Sequence, residues 1–154
     1  MYIMLLFWYI LATFKQHHSL NLSKALIMDY ELDEQRRRDI FEAYEKALKH
    51  FGEMAKYISK DVIIEHAMTY KAPRFYISYE IARRSISDMA KGRSPRAHGP
   101  QKEKMYKDIF ARFIESSKQE GSFSILKQII EEPADSFYIS KKRFSRIVYQ
   151  ELRR

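Results

Sequence analysis

The sequence predicts an all-α protein made of two tandem three-helix (helix-turn-helix-like) repeats packed into one helical bundle. Three observations carry that prediction. Only 4 Gly and 4 Pro interrupt 154 residues, too few turn formers for a sandwich or barrel. Apolar residues recur at three- and four-residue spacing. The tetrapeptide Phe75, Tyr76, Ile77, Ser78 returns as Phe137, Tyr138, Ile139, Ser140 at an offset of 62, and self-similarity at a fixed offset is the mark of a repeat architecture. Without a gap, the same offset pairs Ile63 with Ile125, Ala72 with Ala134 and Arg84 with Arg146. Upstream, Asp39, Ile40, Phe41 returns as Asp108, Ile109, Phe110 at an offset of 69, so the first copy has a loop seven residues longer.

Residues 1–27 stand apart from both copies. Residues 1–14 are an uncharged, almost wholly apolar run, shorter than the ~20 residues that cross a bilayer. No basic residue precedes it and no small-residue cleavage site follows, so it fits a secretory signal poorly. Two readings stay open: an untranslated upstream extension with the start at Met28, or a single-pass or interfacial anchor that holds a basic domain against anionic headgroups. A membrane partner is expected only under the second.

The first repeat occupies residues 28–92. Asp29, Glu31, Asp33 and Glu34 form an acidic lead-in suited to a helix N-terminus. The helix over residues 33–50 places Ile40, Tyr44, Ala47, Leu48 and Phe51 on one face. A second helix over residues 60–70 has Ser59 as N-cap, with Ile58 set to staple onto Ile63. Beyond Pro73, Ser78 caps a third, lined by Ala82, Ile86 and Met89 and stopped by Gly92. The stretch GRSPRAHGP at residues 92–100 holds two Gly and two Pro and marks the linker, residues 93–100.

The second repeat, residues 101–154, follows the same plan. Tyr106, Ile109, Phe110, Phe113 and Ile114 line its first helix; Phe123, Leu126, Ile129 and Ile130 line the next. Ser140 caps a third lined by Phe144, Ile147, Val148 and Leu152, with Ile139 and Phe144 at staple spacing. Neither half is large enough to be stable alone, so the two copies are expected to pack together. In each repeated motif two aromatics plug a groove between helices while the serine receives an orphan amide. Core packing accounts for most of the aromatics, Phe41, Phe110, Phe113 and Phe144 among them; Tyr76 and Tyr138 stay open between core and surface.

Charge separates the copies. The net charge of +8 divides into +2 for residues 1–27, −1 for residues 28–90 and +7 for residues 91–154. Two stretches dominate, residues 91–107 and residues 141–154, each +5. Such asymmetry suits a polyanion, although a solvated face and a basic tail would look the same. The solvent face of the last helix offers Lys141, Lys142, Arg143, Arg146 and Tyr149, types that contact phosphates and base edges. Arg93 and Arg96 in the linker, and Arg83 and Arg84 on the third helix of the first copy, would assist. These nine residues are the expected nucleic-acid contacts.

The chemistry of catalysis is not visible. With no Cys, the chain has no thiol nucleophile, disulfide framework or cysteine-ligated zinc or iron–sulfur centre. His17, His18, His50, His66 and His98 show no ligand spacing, so no metal is expected, and Glu131, Glu132 and Asp135 read as a solvated helix end. No phosphate-cradling glycine loop or glycine-flanked nucleophile serine occurs. No enzyme activity and no cofactor are therefore expected.

At the repeated motif the chain resembles a group of uncharacterised small Bacteroidetes proteins from prophage and conjugative-element neighbourhoods. Those proteins are similar in carrying twice a segment that reads Pro, Ala, Pro, Arg or Ser, Phe, Tyr, a β-branched residue, then Ser or Thr. Here the copies read KAPRFYIS and PADSFYIS. The first keeps Pro73 but has Lys71 at the first proline; the second keeps Pro133 but has Asp135 at the second. The resemblance covers residues 28–154 and implies a bacterial mobile-element or phage setting in the cytoplasm, with no catalytic residue to carry over. The expected function is a non-catalytic accessory protein that docks a basic helix on duplex DNA, alone or as a homo-oligomer. The alternative is a structural or protein-interaction adaptor, such as a phage assembly component.

Overall fold

A computed structural model describes residues 2–117 and 124–154. Among them are six α-helices: α1 (Tyr2–Phe51), α2 (Lys60–Met68), α3 (Tyr79–Ala90), α4 (Pro100–Ser117), α5 (Ser124–Glu131) and α6 (Lys141–Glu151). A 3₁₀ stretch, Gly52–Tyr57, follows α1. Phe123, and the side chains of residues 1–23 and 25, lie outside what is described. No helix among the described residues is long and apolar enough to cross a membrane.

α1 departs most from expectation. The acidic lead-in does not start a helix; α1 begins at Tyr2, with no acidic residue in its first turn. Neither Gly nor Pro occurs before Gly52, so nothing breaks the helix upstream of residue 33. Gly52, at φ +53°, stands where it ends. Two of the four acidic residues serve lateral pairing instead: Asp33 holds Arg36, and Glu34 lies 3.8 Å from Arg37.

Capping follows the sequence in α2 and α6. The Val62 amide donates to Ser59 Oγ at 3.4 Å, and the Arg143 amide to Ser140 Oγ at 3.3 Å. In α3, by contrast, Ser78 occupies the N-cap position with extended backbone, but its hydroxyl makes no capping bond. The stop at Gly92 is a Schellman closure: at φ +75°, its amide donates to the Met89 carbonyl at 2.9 Å, while that of Arg93 donates to Asp88 at 3.0 Å. Gly99, at φ +97°, precedes Pro100, the first residue of α4, the helix position where proline costs least.

The helices pack as two trios. α6 lies against α1 and α2, whereas α3 lies against α4 and α5. The third helix of each segment is therefore delivered to the first two helices of the other. The crossing takes place at the repeated motif. Ala72 and Ala134 form an isolated antiparallel bridge, Phe75 stacks on Tyr138 with centroids 5.7 Å apart, and Tyr76 stacks on Phe137 at 6.3 Å. Ala72, Phe75 and Ala134 are wholly buried. The two departures from the resembled pattern meet here as well, Lys71 Nζ lying 3.6 Å from Asp135.

Each motif is also tied back to its own segment. The Tyr76 hydroxyl donates to Asp39 at 2.5 Å and the Tyr138 hydroxyl to Asp108 at 2.6 Å. Burial, then the adjoining carboxylate, raises both phenols well above the ordinary tyrosine range. Tyr138 alone among the described non-glycine residues has positive φ, +48°; its amide donates to Ser136 Oγ at 3.3 Å.

The expected apolar faces are largely the buried ones, with Ile40, Tyr44, Ala47, Ile109, Leu126, Phe144 and Val148 in the core and Phe41, Phe110 and Phe113 packed at its edge. Two positions differ. Ile114 is 41% exposed because it lies well round α4 from the buried Met105, Tyr106 and Ile109. Leu152 is 44% exposed at the C-cap, past the last packed turn of α6.

Candidate nucleic-acid interface

α6 is positioned by its buried side and by its ends. Ile139 before the cap and Phe144 in the first turn are both buried, forming the staple, and Phe144, Ile147 and Val148 turn inward. Lys141 pairs with Glu65 of α2, Arg143 reaches Asp33 of α1 at 3.0 Å, and Arg37 of α1 reaches Glu151 at 3.1 Å and Gln150 at 3.3 Å. Charge at both ends thus fastens α6 to the helices beneath. The Glu65 carboxylate holds the Lys141 ammonium above the ordinary lysine range. Burial and the neighbouring Arg36 lower the Arg143 guanidinium, partly offset by Asp33.

Two of the five expected α6 contacts are therefore engaged in intramolecular ion pairs at the surface. The remainder form a stripe. Lys142, Arg146 and Tyr149 follow one another at four- and three-residue spacing, and Arg153 continues the series just beyond the helix end. At 100° per residue these positions fall within a narrow arc opposite Phe144, Ile147 and Val148. All four are exposed, and Lys142, Arg146 and Arg153 make no ion pair among the described residues. Lys60, from the first turn of α2, places its ammonium 5.8 Å from the Tyr149 ring centroid, adding a cation beside the stripe.

The other expected contacts sit elsewhere. Arg83 and Arg84 are on α3, in the second trio; Arg83 pairs with Glu80 at 3.4 Å, while Arg84 is exposed with no ion pair among the described residues. In the linker, Arg93 lies 3.5 Å from Asp88 and Arg96 is exposed. The nine residues thus do not share one helix face. Lys60 and Arg153 were not among them; the i, i+4, i+7, i+11 series that contains Arg153 is present in the sequence, whereas nothing local links Lys60 to Tyr149.

The histidines give no metal centre among the described residues. His50 and His66 stack with centroids 4.5 Å apart, flanked by Phe51 and Tyr70, as part of an aromatic cluster. Glu132 and Asp135, expected as a solvated helix end, flank Arg112 at 4.0 and 3.5 Å.

No protein-family model, no curated protein and no solved structure matches the chain.

Proposed function

We propose that the protein docks on duplex DNA, without catalysis, through the outer stripe of α6, as an accessory protein of a bacterial mobile element or phage. The observation that carries this reading is the division of labour along α6. Lys141 and Arg143, on the two flanks of the helix, face acidic partners, while Lys142, Arg146 and Arg153 lie between them on the outer stripe with no ion pair among the described residues. A helix whose buried side is packed and whose outer stripe carries three cations and one tyrosine, flanked by Ser145 and Gln150, suits a line of phosphates. Arg84 on α3 corresponds to Arg146 under the 62-residue offset and would supply a second, weaker contact. We read the two segments as copies of one ancestral unit, since their motif contacts recur in corresponding positions.

The adaptor reading has one observation in its favour. Pairs such as Arg143 with Asp33 show that part of the basic excess serves internal docking, as it would in a protein that binds no nucleic acid. Fluorescence anisotropy on a labelled random duplex separates the two. Substituting Lys142, Arg146 and Arg153 together by Gln is expected to weaken binding at least about tenfold, about 1.4 kcal/mol, with the fold intact. Undiminished binding would place the contact elsewhere; no binding by the unaltered protein at low salt would favour the adaptor.

A further inference from the structure

A cavity of about 480 Å³ opens where α1, the crossed connectors and the start of α4 meet. That volume lies within the roughly 300–1,000 Å³ typical of small-molecule sites. Its lining has two characters. Leu32, Ile81, Met105 and Phe137 supply apolar surface, whereas Arg36, Lys102 and Arg143 face only Asp29 and Asp33.

The cations are incompletely matched. Arg36 and Arg143 converge on the single carboxylate of Asp33, so two guanidiniums share one counter-charge. Arg36 Nε is buried with no hydrogen-bond partner, although buried polar groups are nearly always paired. The Ser78 hydroxyl, in the same lining, makes no capping bond. Lys102 carries no ion pair among the described residues. Positive charge and unused donors therefore share the cavity with apolar surface.

We propose that this cavity binds a small organic anion, a phosphate or carboxylate carried on an apolar body, with Arg36, Arg143 and Lys102 at the charged end. The site is distinct from the outer stripe of α6, and the proposal does not rest on nucleic-acid binding. A phosphate head would arrive on a nucleotide, a carboxylate head on an aromatic acid; the cationic wall accepts either.

Calorimetric titration of the full chain with thymidine 5′-monophosphate, indole-3-acetate and inorganic phosphate tests this. Saturable binding of the nucleotide identifies a phosphate head, and saturable binding of the indole acid a carboxylate head; in either case inorganic phosphate is expected to bind at least about tenfold more weakly, because it has nothing for the apolar wall. Ser78→Asp keeps a good N-cap residue while placing a carboxylate at the cavity. It is expected to retain the thermal midpoint and to lose at least about tenfold in affinity. Should that variant lose its fold, Ile81→Trp, which intrudes on the cavity from its lining, is expected to weaken binding at least about tenfold. The proposal is overturned if none of the three probes binds saturably, if inorganic phosphate binds as tightly as the organic anions, or if folded Ser78→Asp or Ile81→Trp protein binds undiminished.

Discussion

Ala72 and Ala134 exchange both of their backbone hydrogen bonds, the Ala72 amide donating to the Ala134 carbonyl at 3.0 Å and the Ala134 amide to that of Ala72 at 2.9 Å. This bridge is where the two connectors cross. Both methyl groups are fully buried, so the crossing admits no larger side chain without displacement. Ala134→Leu is expected to destabilise the protein by about 1–3 kcal/mol through overpacking, read as a lower urea midpoint. An unchanged midpoint would mean that the crossing is loosely packed.

Exchange of the third helices makes the halves interdependent. A protease site placed at Ser94 in the linker, once cut, is expected to leave the two fragments co-eluting as one helical species. This follows because α3 is held by α4 and α5, and α6 by α1 and α2. Separation into two independently folded fragments would contradict the exchange.

The two serine caps differ although their sequences match. Ser140→Ala removes a capping acceptor for the Arg143 amide and is expected to cost about 1 kcal/mol. Ser78→Ala removes no such bond and is expected to cost measurably less in the same thermal melt. Equal losses would show that both hydroxyls cap in solution.

The phenols of Tyr76 and Tyr138 predict a pH dependence. An unfolded tyrosine ionises near pH 10 (about 10 in model peptides), whereas burial and the Asp39 and Asp108 carboxylates keep both phenols protonated to higher pH. The folded state then retains protons that the unfolded state releases, so this contribution is fully present below about pH 10 and is lost as pH rises beyond it. Tyr76→Phe with Tyr138→Phe is expected to cost about 1–3 kcal/mol at neutral pH and to flatten the alkaline decline in urea-melt stability. A decline of unchanged slope would assign the alkaline loss to other groups.

Much of the fold was legible because helical spacing, caps and breakers are local. Ser59, Ser140, the Ile139 and Phe144 staple and the Gly92 stop all act within one turn of the residues that announce them. The extent of α1 was misjudged because acidic residues at 29–34 look like a helix start, while the more telling feature was the absence of any breaker before Gly52. Helix exchange was not legible, since an apolar face on α3 or α6 shows that it is buried but not against which trio. For the candidate site, the outer face of α6 could be read from spacing alone. The engagement of Lys141 and Arg143 could not, because Glu65 and Asp33 lie 76 and 110 residues away in sequence. The cavity depends on side chains from four separate segments and left no sequence signal.

The most direct test of the DNA-docking account is the salt dependence of binding to a random duplex. Three phosphate contacts from Lys142, Arg146 and Arg153 predict a slope of log affinity against log salt of about −2.7, which the Gln triple variant should reduce towards zero. Absence of binding at low salt, or an unchanged slope in the triple variant, would contradict it.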